Sequence, residues 1–104
     1  MAAPVVTKSI GVQNIFSDWL FVKGYFNWSL WGTWVGTVTL QRTFDGGSTQ
    51  LDVTTSAANT ESIKHEPEGA YYRFGIKTGD YTSGTLQGRI GADPSFVPKK
   101  QSMT

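Results

Sequence analysis

The sequence predicts an all-β domain: a small two-sheet antiparallel β-sandwich of seven or eight strands with extended terminal arms. Three observations carry that expectation. Apolar and polar side chains alternate with a period of two in several short runs, as in a half-buried strand. Turn-forming clusters such as Asp45-Gly46-Gly47-Ser48 and Glu66-Pro67-Glu68-Gly69 separate those runs. No segment holds a helical period over about ten residues, and the aromatic content of 13% with twelve glycines suits a sheet.

The clearest run lies between Gly32 and Val53. Trp34, Val38, Leu40 and Phe44 share one parity, while Thr33, Thr37, Thr39 and Gln41 share the other. Residues 33–44 therefore read as one strand with a buried face and a wetter one. Threonine and valine are stiff at the β-carbon and favour that geometry. Asp45 to Ser48 turns the chain, and Leu51 and Val53 resume the alternation.

Ahead of this hairpin, Val5 to Val12 gives a first strand weakened by Gly11, and Gln13-Asn14 turns the chain. Ile15 to Val22 is apolar on both parities around Trp19, Leu20 and Phe21. Such a run fits a doubly buried strand or one lying against a partner subunit. Lys23-Gly24 breaks it. Tyr25 to Trp31 alternates again, with Phe26, Trp28 and Leu30 inward and the aromatics Tyr25 and Trp31 outward. Two outward aromatics suit the rim of a subunit interface, or cover by a terminal arm or long loop.

After the hairpin, residues 54–60 read as a loop and Glu61 to His65 as a short strand with Ile63 inward. The Glu66–Gly69 turn leads to a strand from Ala70 to Lys77, whose Tyr72, Phe74 and Ile76 share a buried face. Thr78 to Gly84 is a loop, and Leu86 and Ile90 mark a last strand. The expected organisation is an N-terminal arm with a first strand (1–12), a sandwich core (13–90) and an extended tail (91–104) carrying Pro94, Phe96, Val97 and Pro98.

With 104 residues the chain makes one domain. It has no cysteine, so neither a disulfide nor a thiolate nucleophile or ligand is available. A net charge of +1 argues against an extended nucleic-acid surface. No run approaches the roughly eighteen apolar residues of a membrane helix, and no cleaved signal peptide is expected.

Thr43-Phe44-Asp45-Gly46-Gly47-Ser48-Thr49 resembles the aspartate-box hairpin of sialidase-like propellers, with Gln50 where an aromatic usually ends that motif. The resemblance implies a structural aspartate. A carboxylate beside glycine amides accepts their N–H groups and locks the turn, so Asp45, Gly46, Gly47 and Thr49 are expected to form a structural turn. Calcium or sugar contact is the alternative.

No arrangement of catalytic residues emerges. A glycosidase needs two carboxylates about 5–10 Å apart, one of them desolvated, and nothing points to desolvation of Glu66 or Glu68. His65 is the sole histidine, and no Gly-x-Ser-x-Gly elbow accompanies it. Asn27-Trp28-Ser29 matches a glycosylation acceptor inside a strand. Arg42, Arg73 and Arg89 with aromatics suggest a base-stacking sheet, but Tyr72 and Phe74 belong to the core. The expectation is a non-enzymatic protein without cofactor or metal.

The stretch Phe26-Asn27-Trp28-Ser29-Leu30-Trp31-Gly32-Thr33-Trp34 through Phe44-Asp45-Gly46-Gly47, with Tyr72-Arg73-Phe74-Gly75-Ile76-Lys77-Thr78-Gly79-Asp80-Tyr81, resembles small β-sandwich structural proteins of tailed bacteriophages. That resemblance covers about residues 24–90. It implies a virion protein, with capsid decoration or cementing favoured and a tail or head-to-tail adaptor role next. The implied partners are further copies of the chain and the major capsid protein, with neither nucleic acid nor membrane. Trp19, Phe21, Tyr25, Trp31, Phe96 and Val97 are the expected interface residues. A carbohydrate-binding module using Tyr25, Trp31 and Tyr81 is the reading from another functional class.

Overall fold

The computed structural model describes residues 5–92. Seven antiparallel strands form one extended sheet: β1 (Val5–Ile10), β2 (Ile15–Phe16), β3 (Leu20–Gly36), β4 (Val38–Thr43), β5 (Leu51–Ser56), β6 (Thr60–Ile76) and β7 (Tyr81–Ala92). The order across it is β1-β7-β3-β6-β4-β5, with β2 pairing the end of β6. The expected all-β antiparallel architecture is present, as a continuous hydrogen-bonded path.

Two long strands make that path continuous. β3 and β6 each have 17 residues. Leu20–Leu30 of β3 pairs with β6, while Phe26–Gly36 pairs with β7 on the other side. β6 in turn passes from β3 to β4 at Tyr71–Gly75. Each long strand thus belongs to two parts of the sheet, and the sheet curls between them. Phe74 on β6 meets β7, two places away in the strand order: a β-carbon on Gly88 would lie 2.2 Å from its ring. Only a bare backbone fits there.

The core fills the inside of the curl. Phe26, Trp28 and Leu30 from β3, Tyr72, Phe74 and Ile76 from β6, and Leu86 and Ile90 from β7 are buried there, as their parity predicts. Ile10 joins them from β1, so the first strand is part of the folded body. Burying each large side chain contributes about 1.5–3 kcal/mol relative to exposure.

Several boundaries differ from expectation, and each difference has a local cause. Residues 33–44 are two strands, not one. The chain corners at Gly36–Thr37, where the Thr37 N–H donates to the Asp80 carbonyl (2.9 Å). Phe44 lies past the end of β4 and is exposed. β4 itself is buried on both faces: Thr39, Gln41 and Thr43, assigned to a wet face, are all under 8% exposed. Residues 54–56 extend β5, and β7 begins at Tyr81 rather than after Gly84.

The Ile15–Val22 run divides at residues 17–19. Ser17 bridges the gap, its N–H donating to the Phe74 carbonyl (2.8 Å) and its Oγ accepting from the Phe74 N–H (3.2 Å). Neither Lys23-Gly24 nor Glu66–Gly69 interrupts a strand. Val22 faces Ala70 and Gly24 faces Glu66, so Pro67, Glu68 and Gly69 bulge out of β6 opposite Lys23. Proline has no donor to lose at such a bulge. Gly69 carries a φ of +93° there, and a side chain would press on the Phe21 ring at 3.0 Å. Ile63 points outward and is 45% exposed, because even-numbered residues of β6 face the core.

The contact between Phe74 and β7 generates a direct test of the curl. Gly88→Ala is expected to lower the urea midpoint by a destabilisation on the order of 1–3 kcal/mol, the cost of overpacking. An unchanged midpoint would mean that ring and strand do not meet.

Candidate functional site

The outward face of β3 collects the aromatics that the core leaves over. Phe21, Tyr25 and Trp31 share its odd parity, but over a strand this long they fall into two groups. Phe21 and Trp31 are ten positions apart, about 33 Å if the strand were straight.

At the first group, Phe21 lies opposite Tyr71 on β6. Their rings meet edge to face at 5.3 Å and 65°, yet Phe21 stays 49% and Tyr71 42% exposed. Two positions along β6, the Arg73 guanidinium lies between the rings of Phe16 (4.3 Å) and Trp19 (4.5 Å). Its Nε donates to Gln41 Oε1 (3.0 Å), and Gln41 Nε2 donates to Asp52 Oδ1 (3.0 Å). Lys77 closes the chain on Asp52. Burial pulls the Arg73 pKa below its ordinary value. Gln41 is therefore part of the floor of this face. Phe16, Trp19, Phe21 and Tyr71 form a firmly held aromatic surface around Arg73; the sequence reading missed Tyr71 and named Arg73 only as part of a base-stacking sheet.

At the second group, Tyr25 stacks on His65 (4.4 Å, 21°). Trp31 is 45% exposed and borders a groove of about 330 Å³ lined by Ser29, Thr60, Glu61 and Arg89. Tyr81 starts β7 opposite Gly36 and packs against the core. Tyr25, Trp31 and Tyr81 therefore do not form one platform. Phe96 and Val97 lie outside the described residues.

The β4–β5 turn holds Asp45, Gly46, Gly47 and Thr49. Its hydrogen bonds differ from the expected glycine amides. Asp45 Oδ1 accepts from the Thr43 hydroxyl (2.7 Å) and the Thr49 N–H (2.9 Å), while the Gly47 N–H donates to Thr43 Oγ1 (3.0 Å). Gly47 has a φ of +102°, a conformation that suits glycine. The Thr43 hydroxyl and then the Thr49 amide hold the Asp45 carboxyl down to about 2.

Glu66 corrects the expectation of a solvated turn carboxylate, since it is 3% exposed. Its even parity on β6 turns it inward, onto the rim of the core. Its Oε1 accepts from the Tyr72 hydroxyl (2.7 Å) and lies 3.6 Å from Arg42 Nη1; its Oε2 accepts from the Glu68 N–H (3.1 Å). Burial pushes its pKa up, but the Tyr72 hydroxyl, the Glu68 amide and Arg42 outweigh that and hold it below the ordinary value. Burial and the Glu66 carboxylate push the Tyr72 phenol up to about 12. The group is a structural ion cluster, with the second carboxylate of the bulge, Glu68, exposed.

Among the described residues no three His, Asp or Glu side chains gather as a metal-binding group. Comparison with protein-family models, with curated proteins and with solved structures returned no significant match.

Both depressed carboxyls contribute stability that is complete above their ordinary range and is lost as the pH falls through the folded values. For Asp45 that window runs from about 4 down to about 2. Glu66→Gln is expected to cost on the order of 1–3 kcal/mol at pH 7, and the deficit should shrink as the pH drops below the ordinary glutamate range. Urea unfolding at neutral and acid pH reads both; a deficit independent of pH would contradict the charged cluster.

Proposed function

We propose that this chain is a non-enzymatic structural protein that docks other protein copies onto the outward aromatic face of β3 and β6. The observation that carries the reading is the Phe21–Tyr71 pair. Two large rings pack against each other and remain roughly half exposed on a rigid sheet. Arg73, Phe16 and Trp19 continue that surface beside them. Aromatics and arginine are the residues that anchor protein interfaces, because they bury much area at small entropic cost.

The setting we propose is the virion of a tailed bacteriophage, as a decoration or cement protein of the capsid, with a tail or head-to-tail adaptor role as the second setting. The support is the sequence resemblance over the interior of the chain and the architecture it leads to. We read the curled sheet as two facing layers, the sandwich that the resemblance implies. Partners are further copies of this chain and the major capsid protein. A repeated shell makes many weak contacts act together, so one small surface on each copy suffices. Phe96 and Val97 on the C-terminal tail would add a second contact. The N-terminal segment contributes less, because Val5–Ile10 pairs with β7 and buries Ile10.

The test uses purified heads of the source particle stripped of this chain. Wild-type protein is expected to restore full occupancy. The Phe21→Ser, Tyr71→Ser double variant should keep its melting temperature within a few degrees and lose occupancy, and removal of residues 93–104 should weaken binding while the core stays folded. A folded double variant that binds at wild-type occupancy would overturn the reading.

A further inference from the structure

We propose that the groove beside Trp31 is a binding site for a neutral carbohydrate, independent of the aromatic face at Phe21 and Tyr71. The sheet register builds it. Ser29 on β3 lies opposite Glu61 on β6 and opposite Arg89 on β7. These three residues form one cross-strand row on the outward face, with Ser29 between Glu61 and Arg89 and its hydroxyl donating to Asn27 Oδ1. Adjacent strands are about 4.8 Å apart, so the two charged residues start from backbones roughly 10 Å apart. Trp31 stands two positions along β3 from Ser29, on the same face. Thr60 closes the β6 side, and the groove encloses about 330 Å³.

Two features separate this groove from an ordinary patch of surface. First, its opposite charges do not satisfy each other: the ion pairs among the described residues are Arg42–Glu66 and Lys77–Asp52, and neither Glu61 nor Arg89 has a side-chain hydrogen-bond partner there. The Arg89 guanidinium instead reaches along β7 over Gly91, where a β-carbon would lie 2.8 Å from its Nη2. Second, the indole of Trp31 is 45% exposed on a strand whose neighbouring inward residues Trp28 and Leu30 are buried.

Ligand chemistry follows from that set. A polyanion would meet the Glu61 carboxylate, and a purely apolar ligand would strip water from two charges without replacing it. A pyranose ring suits both constraints. Its hydroxyls donate to a carboxylate and accept from a guanidinium, and its C–H face carries the partial positive charge that the negative face of an indole attracts. The volume sits at the lower end of small-molecule sites, about 300–1,000 Å³, which matches a short stretch of a glycan.

Calorimetric titration of the full chain with maltotetraose, cellotetraose and chitotetraose tests this, with a heparin tetrasaccharide as the anionic arm. At least one neutral sugar is expected to bind. Trp31→Ala should weaken it by about tenfold, a loss of about 1.4 kcal/mol. Glu61→Gln at an exposed position and Arg89→Gln at a half-buried one should each weaken it too while the melting temperature holds; Glu61→Gln serves if Trp31→Ala fails to fold. The Phe21→Ser, Tyr71→Ser double variant should bind sugar normally, which separates this site from the docking face. Absence of binding by all three neutral sugars, preferred binding of heparin, or unchanged affinity in the groove variants would overturn the proposal.

Discussion

The antiparallel pairing of β3 with β6 is the constraint on which the other features depend. Ten registered positions join these strands, and each then leaves the other to pair with a different neighbour. A short strand cannot do this. A strand of 17 residues presents one continuous inward parity to a curved core and one continuous outward parity to whatever lies beyond. Curvature needs a place where the pairing yields, and the Pro67–Glu68–Gly69 bulge supplies one.

The bulge has two further consequences. It brings the Glu68 amide onto the inward Glu66, where an isolated carboxylate would be costly, and with the Tyr72 hydroxyl and Arg42 this makes the placement tenable. It also places Gly69 against the tip of the Phe21 ring, which meets Tyr71. The inward ion cluster and the outward aromatic pair are thus two sides of one irregularity. Arg73 plays the corresponding part further along β6, covered by Phe16 and Trp19 and tied through Gln41 to Asp52.

Much of the core was legible from alternation alone. Phe26, Trp28 and Leu30, and again Tyr72, Phe74 and Ile76, sit where a period of two puts them, because each triplet lies in a regular stretch of a long strand. Alternation misled where a second layer covers the outer face. Thr39, Gln41 and Thr43 look solvated in sequence but are buried; Gln41 lies under Arg73, which Phe16 and Trp19 cover, and the Asp45–Gly47 turn closes on the Thr43 hydroxyl. Phe44 continued the apolar parity of β4 only on paper, since the strand ends one residue earlier. Pro67 and Gly69 signalled a departure from regular geometry, but a turn and a bulge share the same residues. What decides between them is the pairing of Lys23's neighbours, more than forty positions away. The row of Glu61, Ser29 and Arg89 was illegible for the same reason: it exists only once three strands are in register.

On the proposed reading, the molecule is a stiff curved sheet whose function lies in what its outward parity presents. Its inward parity is used for stability, and its outer aromatics remain for other protein copies. Amide hydrogen exchange on the chain alone and bound to stripped heads tests that division most directly. Added protection concentrated at residues 19–23 and 69–73, with the rest of the sheet unchanged, is the predicted result. Bound protein whose new protection falls elsewhere, with those two segments exchanging as in the free chain, would contradict it.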